Sequence, residues 1–551
     1  MSQALAEERQ DKDEVSKSGG KEPKAFFMLH APGKKKVAVA GEFNDWKAEP
    51  MEEKDGHWVL EKAIPQGRYR YAFNVDGKDI ADPQAREIEW DDEGAHSIVN
   101  IGDDDYEWKH DQFERPDYQD LVIYELLVND FTPDGTFEGV IGKLDYLQDL
   151  GINAIQLMPI AGTRPDDTWG YANTFLHAVR PKYGKPEDFK RLVDEAHARD
   201  IAVILDLCIA HTGHDHPFAQ LYKYEDSPWY GEAFGGANEF GFPTLDPRKP
   251  AAQEYVRDVI QFWLREFHID GYRIDYAKLI GENDEGIGMP NMFRWIREMR
   301  ADAYIICEVL PEQPENISTW DTNGVWHESM QDALKVILEM DLKPEEEQMP
   351  DERWAHLCRA LNPPEEGYQK TDQCVNYSEN HDELRMMKVL TDQLLTEDHA
   401  AKRCVTVFAL VATAPGPPMM WHGQEWGEAT DKSQDPNAVH WEGLEGDTGK
   451  NMHEQFRRLA WLRRNTPALR TSNVEVRASD AMVRCLELHR WDEGGSEVVT
   501  AVNLSTATQD FVLHLSAGPW KDALTDGEIM SENGEYQVRL EPFDVQVWVK
   551  Q

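Results

Sequence analysis

The chain is poor in positive charge: 57 Lys and Arg stand against 103 Asp and Glu in 551 residues, a formal net charge of −46. Such a surface repels nucleic-acid phosphates and anionic membranes, so neither is expected as a partner. No apolar run approaches the roughly 20 residues that a membrane-spanning helix needs. The six cysteines (Cys208, Cys307, Cys358, Cys374, Cys404 and Cys485) form no CxxC pair and no regular framework. Several lie inside apolar runs, where they read as small buried hydrophobes and fit a reducing compartment. No Gly-x-Gly-x-x-Gly follows a strand, which argues against a dinucleotide-binding oxidoreductase. Nor is there a repeat of solenoid type. Residues 1–24 lack the apolar core of a secretory signal and read as a disordered acidic tail. A cytoplasmic location is the expectation.

What is present is globular. A hydrophobic share of 40% and a charged share of 29% suit a soluble protein of two to four domains. The acidic excess has two readings: ordinary solubility, or a halophilic surface whose self-repulsion is screened in concentrated salt. Residues 25–102 alternate in short runs such as Val37-Ala-Val-Ala40 and Tyr69-Arg-Tyr-Ala-Phe73, punctuated by Gly56, Gly67 and Asp76-Gly77, which predicts a β-sandwich module. Residues 103–117 form a linker. Over 118–470 the rhythm becomes strand, loop, helix, with buried-strand runs at Leu121–Tyr124, Ala154–Pro159 and Ile201–Asp206, and an excursion near 209–250. That repetition predicts an α/β fold with a parallel sheet, and a (β/α)8 barrel accommodates the length as one domain. Residues 471–551 return to alternation, as in Val545, Val547 and Val549, and predict a terminal β-sandwich.

Four of the apolar strand runs finish in ionisable clusters. They are Asp206-Leu-Cys-Ile-Ala-His211, Gly271-Tyr-Arg-Ile-Asp275 preceded by Asp270, Ile305-Ile-Cys-Glu308, and Asn380-His-Asp382. In a barrel, the C-terminal strand ends converge on one mouth. A single carboxylate there is more often half of a structural ion pair, since burying it alone is costly. Four such ends together point to chemistry instead. Glycoside hydrolysis needs this set: one carboxylate attacks the anomeric carbon while a carboxylic acid protonates the leaving oxygen. Arg273, two residues before Asp275, faces the same side of its strand and would favour the ionised carboxylate.

These clusters resemble the four signature regions of the α-amylase superfamily of glycoside hydrolases (family 13), in order, at what would be the third, fourth, fifth and seventh barrel strands. Gly416–Glu425 resembles its eighth-strand segment, and Trp169-Gly-Tyr171 resembles the motif whose Tyr stacks under the reacting sugar. The resemblance implies Asp275 as nucleophile, Glu308 as acid/base and Asp382 as transition-state stabiliser. Tyr171, Asp206, His211, Arg273 and His381 would shape the sugar subsite. Gly41-Glu-Phe-Asn-Asp-Trp46 with Tyr69–Phe73 and Val75-Asp-Gly77 resembles the glycogen- or starch-binding module (CBM48-like), with Trp46 as one of its sugar-gripping aromatics. The second Trp of many such modules is replaced by Lys78-Asp79, so a structural role competes with glycan binding.

Two departures bear on cofactors. The family's calcium-holding Asn before the first-region His is Ala210 here, and the His after the second-region Lys is Leu279. Neither offers the oxygen that calcium wants, so no calcium and no other cofactor is expected. The reaction has two readings. Glu308-Val-Leu-Pro differs from the Glu-Glu-Ser-Thr context of branching enzymes, and Lys278 resembles the amylase Lys that holds the leaving glucan, which favours hydrolysis of α-1,4-glucosidic bonds in starch, glycogen or maltooligosaccharides. The N-terminal module favours glycogen-like substrates, where a branching transglycosylase is the alternative. A non-catalytic glycan-binding protein would require a missing carboxylate, and all three are present. Oligomeric state is open.

Overall fold

The structure is a computed structural model and describes residues 23–102, 106–231, 238, 240–280, 288–317, 319–343, 350–393, 395–479, 481–532 and 534–551. The acidic tail predicted for 1–24 lies almost wholly outside the described residues. At the centre are eight parallel strands: β1 Ile123–Leu126, β2 Ala154–Leu157, β3 Ala202–Leu207, β4 Gly271–Ile274, β5 Tyr304–Cys307, β6 Gly324–Trp326, β7 Cys374–Val375 and β8 Met419–Trp421. They pair in the order β7-β6-β5-β4-β3-β2-β1-β8. A parallel bridge between Asn376 and Pro418 brings the two edges together, which makes this the expected (β/α)8 barrel.

Every residue of these strands is buried, as apolar runs flanked by helices on the outside require. Inward and outward positions alternate. The inner layers near the strand starts hold Ile123, Ala154, Ala202, Ile204, Tyr304 and Ile306. The next inward positions, two residues on, are Glu125, Gln156, Asp206 and Glu308. The barrel interior therefore turns from apolar to ionisable toward its C-terminal mouth. Gly271 is the small member: a Cβ there would lie 2.3 Å from the Tyr304 carbonyl oxygen.

The N-terminal module pairs Lys24–His30 with His57–Ala63 and Glu52–Lys54 in one sheet. A second sheet of six strands is built around Val37–Gly41, Gly67–Val75 and Gly94–Ile101. Phe27, Leu29, Val37, Val39 and Phe73 are buried and belong to the main core. The C-terminal region carries a six-stranded sheet from Val474–Ala478 to Asp544–Lys550 and a pair formed by Gln509–Leu513 with Tyr536–Leu540. It docks on the barrel helix Glu397–Thr413, where Thr406 Oγ1 donates to the Phe543 carbonyl at 2.8 Å and Arg490 Nη1 to that of Thr413 at 2.7 Å. All six cysteines are free, and five are buried, as the apolar runs around them predict. Among the described residues no helix is long and apolar enough to cross a membrane.

Candidate active site

The ionisable ends of β3, β4 and β5 meet around one guanidinium. Arg273, completely buried, is the register partner of Asp206 on β3 and of Ile306 on β5. Its Nη1 donates to both oxygens of Asp206 at 2.8 and 2.7 Å and to Asp275 Oδ1 at 2.8 Å. Its Nη2 lies 2.9 Å from Glu308 Oε1, an ion pair that misses hydrogen-bond angles and leaves this nitrogen without a hydrogen-bond partner. Trp326 on β6 covers the guanidinium, with Cζ 4.0 Å from the ring centroid. Burial opposes the charge on Arg273, but the surrounding carboxylates outweigh it and hold its pKa well above the ordinary value.

Burial dominates the carboxylates in turn. It raises Asp206 to about 6, against the pull of Arg273. It raises Asp275, helped by the Glu308 charge and opposed by Arg273, His211 and a hydrogen bond from the Cys208 thiol. It raises Glu308, helped by Asp382 and opposed by Arg273 and by the Tyr276 N–H, which donates to Oε2 at 2.8 Å. Tyr276 reaches this position with φ of 44°, in the left-handed region. Asp382 moves the other way. Burial pushes it up, but His381 Nε2 at 3.1 Å, with Arg273 and Lys432 behind it, holds its carboxyl below the usual range.

His381 is the link between Asp382 and the barrel interior. Its Nδ1 contacts Glu125 Oε1 at 2.8 Å and its backbone N–H donates to Glu125 Oε2 at 3.2 Å. Burial opposes its protonation, yet Asp382 and Glu125 together raise its pKa well above the ordinary value. The Tyr171 hydroxyl donates to Asp206 Oδ2 at 2.7 Å and lies 2.8 Å from His381 Nε2, with the two rings stacked. His211 Nε2 sits 2.9 Å from the Tyr171 carbonyl, and Asn238 contacts its Nδ1 at 3.2 Å. Asp275, Glu308, Asp382, Asp206, Arg273, Tyr171, His211 and His381 are thus gathered at one mouth.

Other residues singled out in the sequence fall elsewhere. Asp270 faces the outside of β4, with its Oδ2 2.8 Å from His197 and Arg115 3.3 Å from its Oδ1, so it is structural. Lys278 is exposed on the short helix Ala277–Ile280 that follows the Asp275 strand. Trp46 is 48% exposed on the N-terminal module, which leaves its ring open to a ligand. Ala210 is buried and brings no oxygen ligand from its side chain. The Leu279 side chain lies outside the described residues. Sequence reasoning missed Glu125, Trp326, Cys208 and Lys432, whose Nζ contacts the Asp382 carbonyl and lies 5.4 Å from the Trp169 ring centroid. Glu125 carried a signal: a carboxylate inside the otherwise apolar run of β1.

Residues 103–232 and 222–473 match the family described as "Alpha amylase, catalytic domain", and residues 26–107 match "Glycogen recognition site of AMP-activated protein kinase". Malto-oligosyltrehalose trehalohydrolase of Saccharolobus solfataricus is 34% identical over 259 residues, 47% of this chain and 45% of that protein. The 1,4-alpha-glucan branching enzyme GlgB of Corynebacterium glutamicum is 26% identical over 571 residues, 92% of this chain and 75% of that protein. The match thus spans less than half the length of that trehalohydrolase. In fold, a pullulanase from Anoxybacillus sp. LM18-11 complexed with maltotriose superposes with a TM-score of 0.79 at 17% identity, covering 98% of this chain and 87% of that one. The alpha-amylase of Geobacillus thermoleovorans complexed with acarbose gives 0.68 at 22%, over 79% and 99%. The chain belongs to the α-amylase family of glycoside hydrolases, family 13, and carries an N-terminal module of the glycogen-recognition type.

Proposed function

We propose that the protein is a retaining hydrolase of α-1,4-glucosidic bonds in starch, glycogen or maltooligosaccharides. The observation that carries this reading is the single buried guanidinium of Arg273 in contact with Asp206, Asp275 and Glu308 at the barrel mouth. Asp275 Oδ attacks the anomeric carbon as Glu308 gives its proton to the leaving glycosidic oxygen, forming a glycosyl ester. Water then attacks the same carbon, Glu308 takes its proton, and the Asp275 carboxylate leaves. The hydrogen bond from Arg273 and the Cys208 thiol favour the ionised form of Asp275. Burial and the neighbouring Asp382 charge raise the Glu308 pKa, which suits it to hold the proton it donates. Asp382, kept ionised by His381, grips sugar hydroxyls and opposes the oxocarbenium charge. Tyr171, His211 and His381 line the reacting sugar, and Lys278 holds the leaving glucan.

Ala210 argues that this chemistry runs without the family calcium. The acceptor decides between hydrolysis and branching. The relation to the C. glutamicum branching enzyme over 92% of the chain supports transfer to a sugar hydroxyl as a second reading. The trehalohydrolase relation adds maltooligosyltrehalose as a candidate substrate for the same hydrolytic step. A cytoplasmic enzyme with Trp46 touching glycan fits either. Incubation with amylose and, separately, with maltooligosyltrehalose, followed by assays for reducing ends, free trehalose and α-1,6 branches, tests the assignment. Reducing ends from amylose are expected; branches with few reducing ends would replace hydrolysis by transfer.

A further inference from the structure

A second cluster of ligating side chains lies away from the barrel mouth, where the N-terminal module meets the barrel helix Pro250–Glu266. His30 and His57 are direct cross-strand partners, so their imidazoles emerge side by side from one sheet face. The rings stack with centroids 4.2 Å apart. Opposite them the helix presents Glu254, and His57 Nε2 lies 3.7 Å from Glu254 Oε1. Among the described residues this is the one group of three His, Cys, Asp or Glu side chains whose ligand atoms all lie within 4.8 Å of one another. It borders a cavity of about 50 Å³ that is also lined by His177, Trp229 and Asp258.

We propose that His30, His57 and Glu254 form a divalent transition-metal site, with zinc the best-fitting ion, that ties the N-terminal module to the barrel. Two imidazoles, one carboxylate and a water complete a tetrahedral zinc shell, whose bonds of about 2.0–2.1 Å put neighbouring ligand atoms roughly 3.4 Å apart. The observed 3.7 Å between His57 and Glu254 needs almost no closure. The histidine is also oriented for the task. His57 Nδ1 lies 3.3 Å from the Asp55 carbonyl, an acceptor that orients the ring, and its Nε2 is on the Glu254 side. Asp258, one helical turn after Glu254, adds negative charge to the same cavity; its Oδ2 accepts from Gln84 at 2.8 Å and meets His177 Nε2 at 3.0 Å. Arg86 and Arg265 also border the cavity and oppose a cation, so the site relies on direct ligation.

The clamp would act on the loop that leads into the active site. His30 packs edge-on against Trp229 at 5.4 Å, Trp229 stacks on Phe218 at 3.7 Å, and the Tyr222 hydroxyl donates to the Pro32 carbonyl at 2.9 Å. The same excursion brings Asn238 to His211. The proposal is independent of the reaction assigned to the barrel mouth. Its test is titration of the full chain, stripped on a chelating resin, with ZnCl2, CoCl2 and CaCl2. One equivalent of zinc should bind and raise Tm, cobalt should give the visible bands of a tetrahedral centre, and calcium should do neither. His30→Gln and Glu254→Gln, each checked for native circular dichroism, should weaken zinc at least tenfold, while Asp275→Asn should bind it unchanged. Absence of stoichiometric zinc binding overturns the proposal. So does zinc binding that survives both His30→Gln and Glu254→Gln, or that is lost in Asp275→Asn, which would put the ion at the barrel mouth.

Discussion

Glu125 on β1 accepts from both the backbone N–H and the ring Nδ1 of His381, a residue 256 positions further along the chain. The pair joins the first strand of the barrel to the loop after the seventh. It keeps His381 protonated, and His381 in turn keeps Asp382 ionised.

Removing the Glu125 charge should therefore be felt at Asp382. Glu125→Gln retains an acceptor but no charge, so the His381 pKa should fall toward its ordinary value. We expect kcat/KM to drop roughly tenfold to a hundredfold, the scale of one buried charge-assisted hydrogen bond. NMR titration of His381 alongside kinetics checks this. An unmoved His381 titration would separate Glu125 from the site.

Arg273→Lys should behave as a severe change. A single ammonium cannot replace a fork that meets three carboxylates at once. Leaving buried carboxylates without their partner costs on the order of 3–5 kcal/mol. Urea unfolding should show a loss of that size together with loss of activity, and near-native values for both would contradict the hub role.

Glu425 makes the pH dependence of stability testable away from catalysis. Its Oε1 accepts from the Tyr124 and Tyr146 hydroxyls, each at 2.8 Å, while Oε2 is buried without a hydrogen-bond partner. Burial raises its pKa from 4.5 to about 7. Between these values the folded state holds a proton that the unfolded state has released, so stability falls as pH rises toward 7. The contribution lost is roughly 3 kcal/mol. Glu425→Gln should flatten the fall in unfolding free energy between pH 5 and pH 8, measured by urea denaturation. An identical slope in both proteins would remove Glu425 as its source.

The net charge of −46 predicts a salt response. If the acidic surface is adapted to concentrated salt, screening relieves its self-repulsion and Tm rises from low to multimolar KCl. A flat or falling Tm would leave solubility as the purpose of the acidic excess.

Much of the site was legible because carboxylates in apolar strands are costly and therefore conspicuous. Asp206, Asp275 and Glu308 announced themselves in this way, and the two-residue period put Arg273 beside them. The same period separates Asp270, whose parity turns it outward to His197 and Arg115. What stayed hidden depends on contacts between distant segments. Glu125 looks like a lone interruption until β1 is set beside the β7 loop. Trp326 reads as one more buried aromatic until it covers Arg273. Lys432 lies in the loop beyond β8, and no local pattern ties it to Asp382. His30 and His57 become a pair only through strand register.

In the proposed mechanism Asp275 forms a covalent bond to the sugar. Glu308→Gln, given an α-glucosyl or α-maltosyl fluoride whose leaving group needs no proton, should form the ester quickly and hydrolyse it slowly. Mass spectrometry of the quenched protein should then show one glycosyl adduct, mapped to the peptide containing Asp275. An adduct on Asp206 or Asp382, or turnover of the fluoride with no adduct and with inverted product, would rule out Asp275 as the nucleophile.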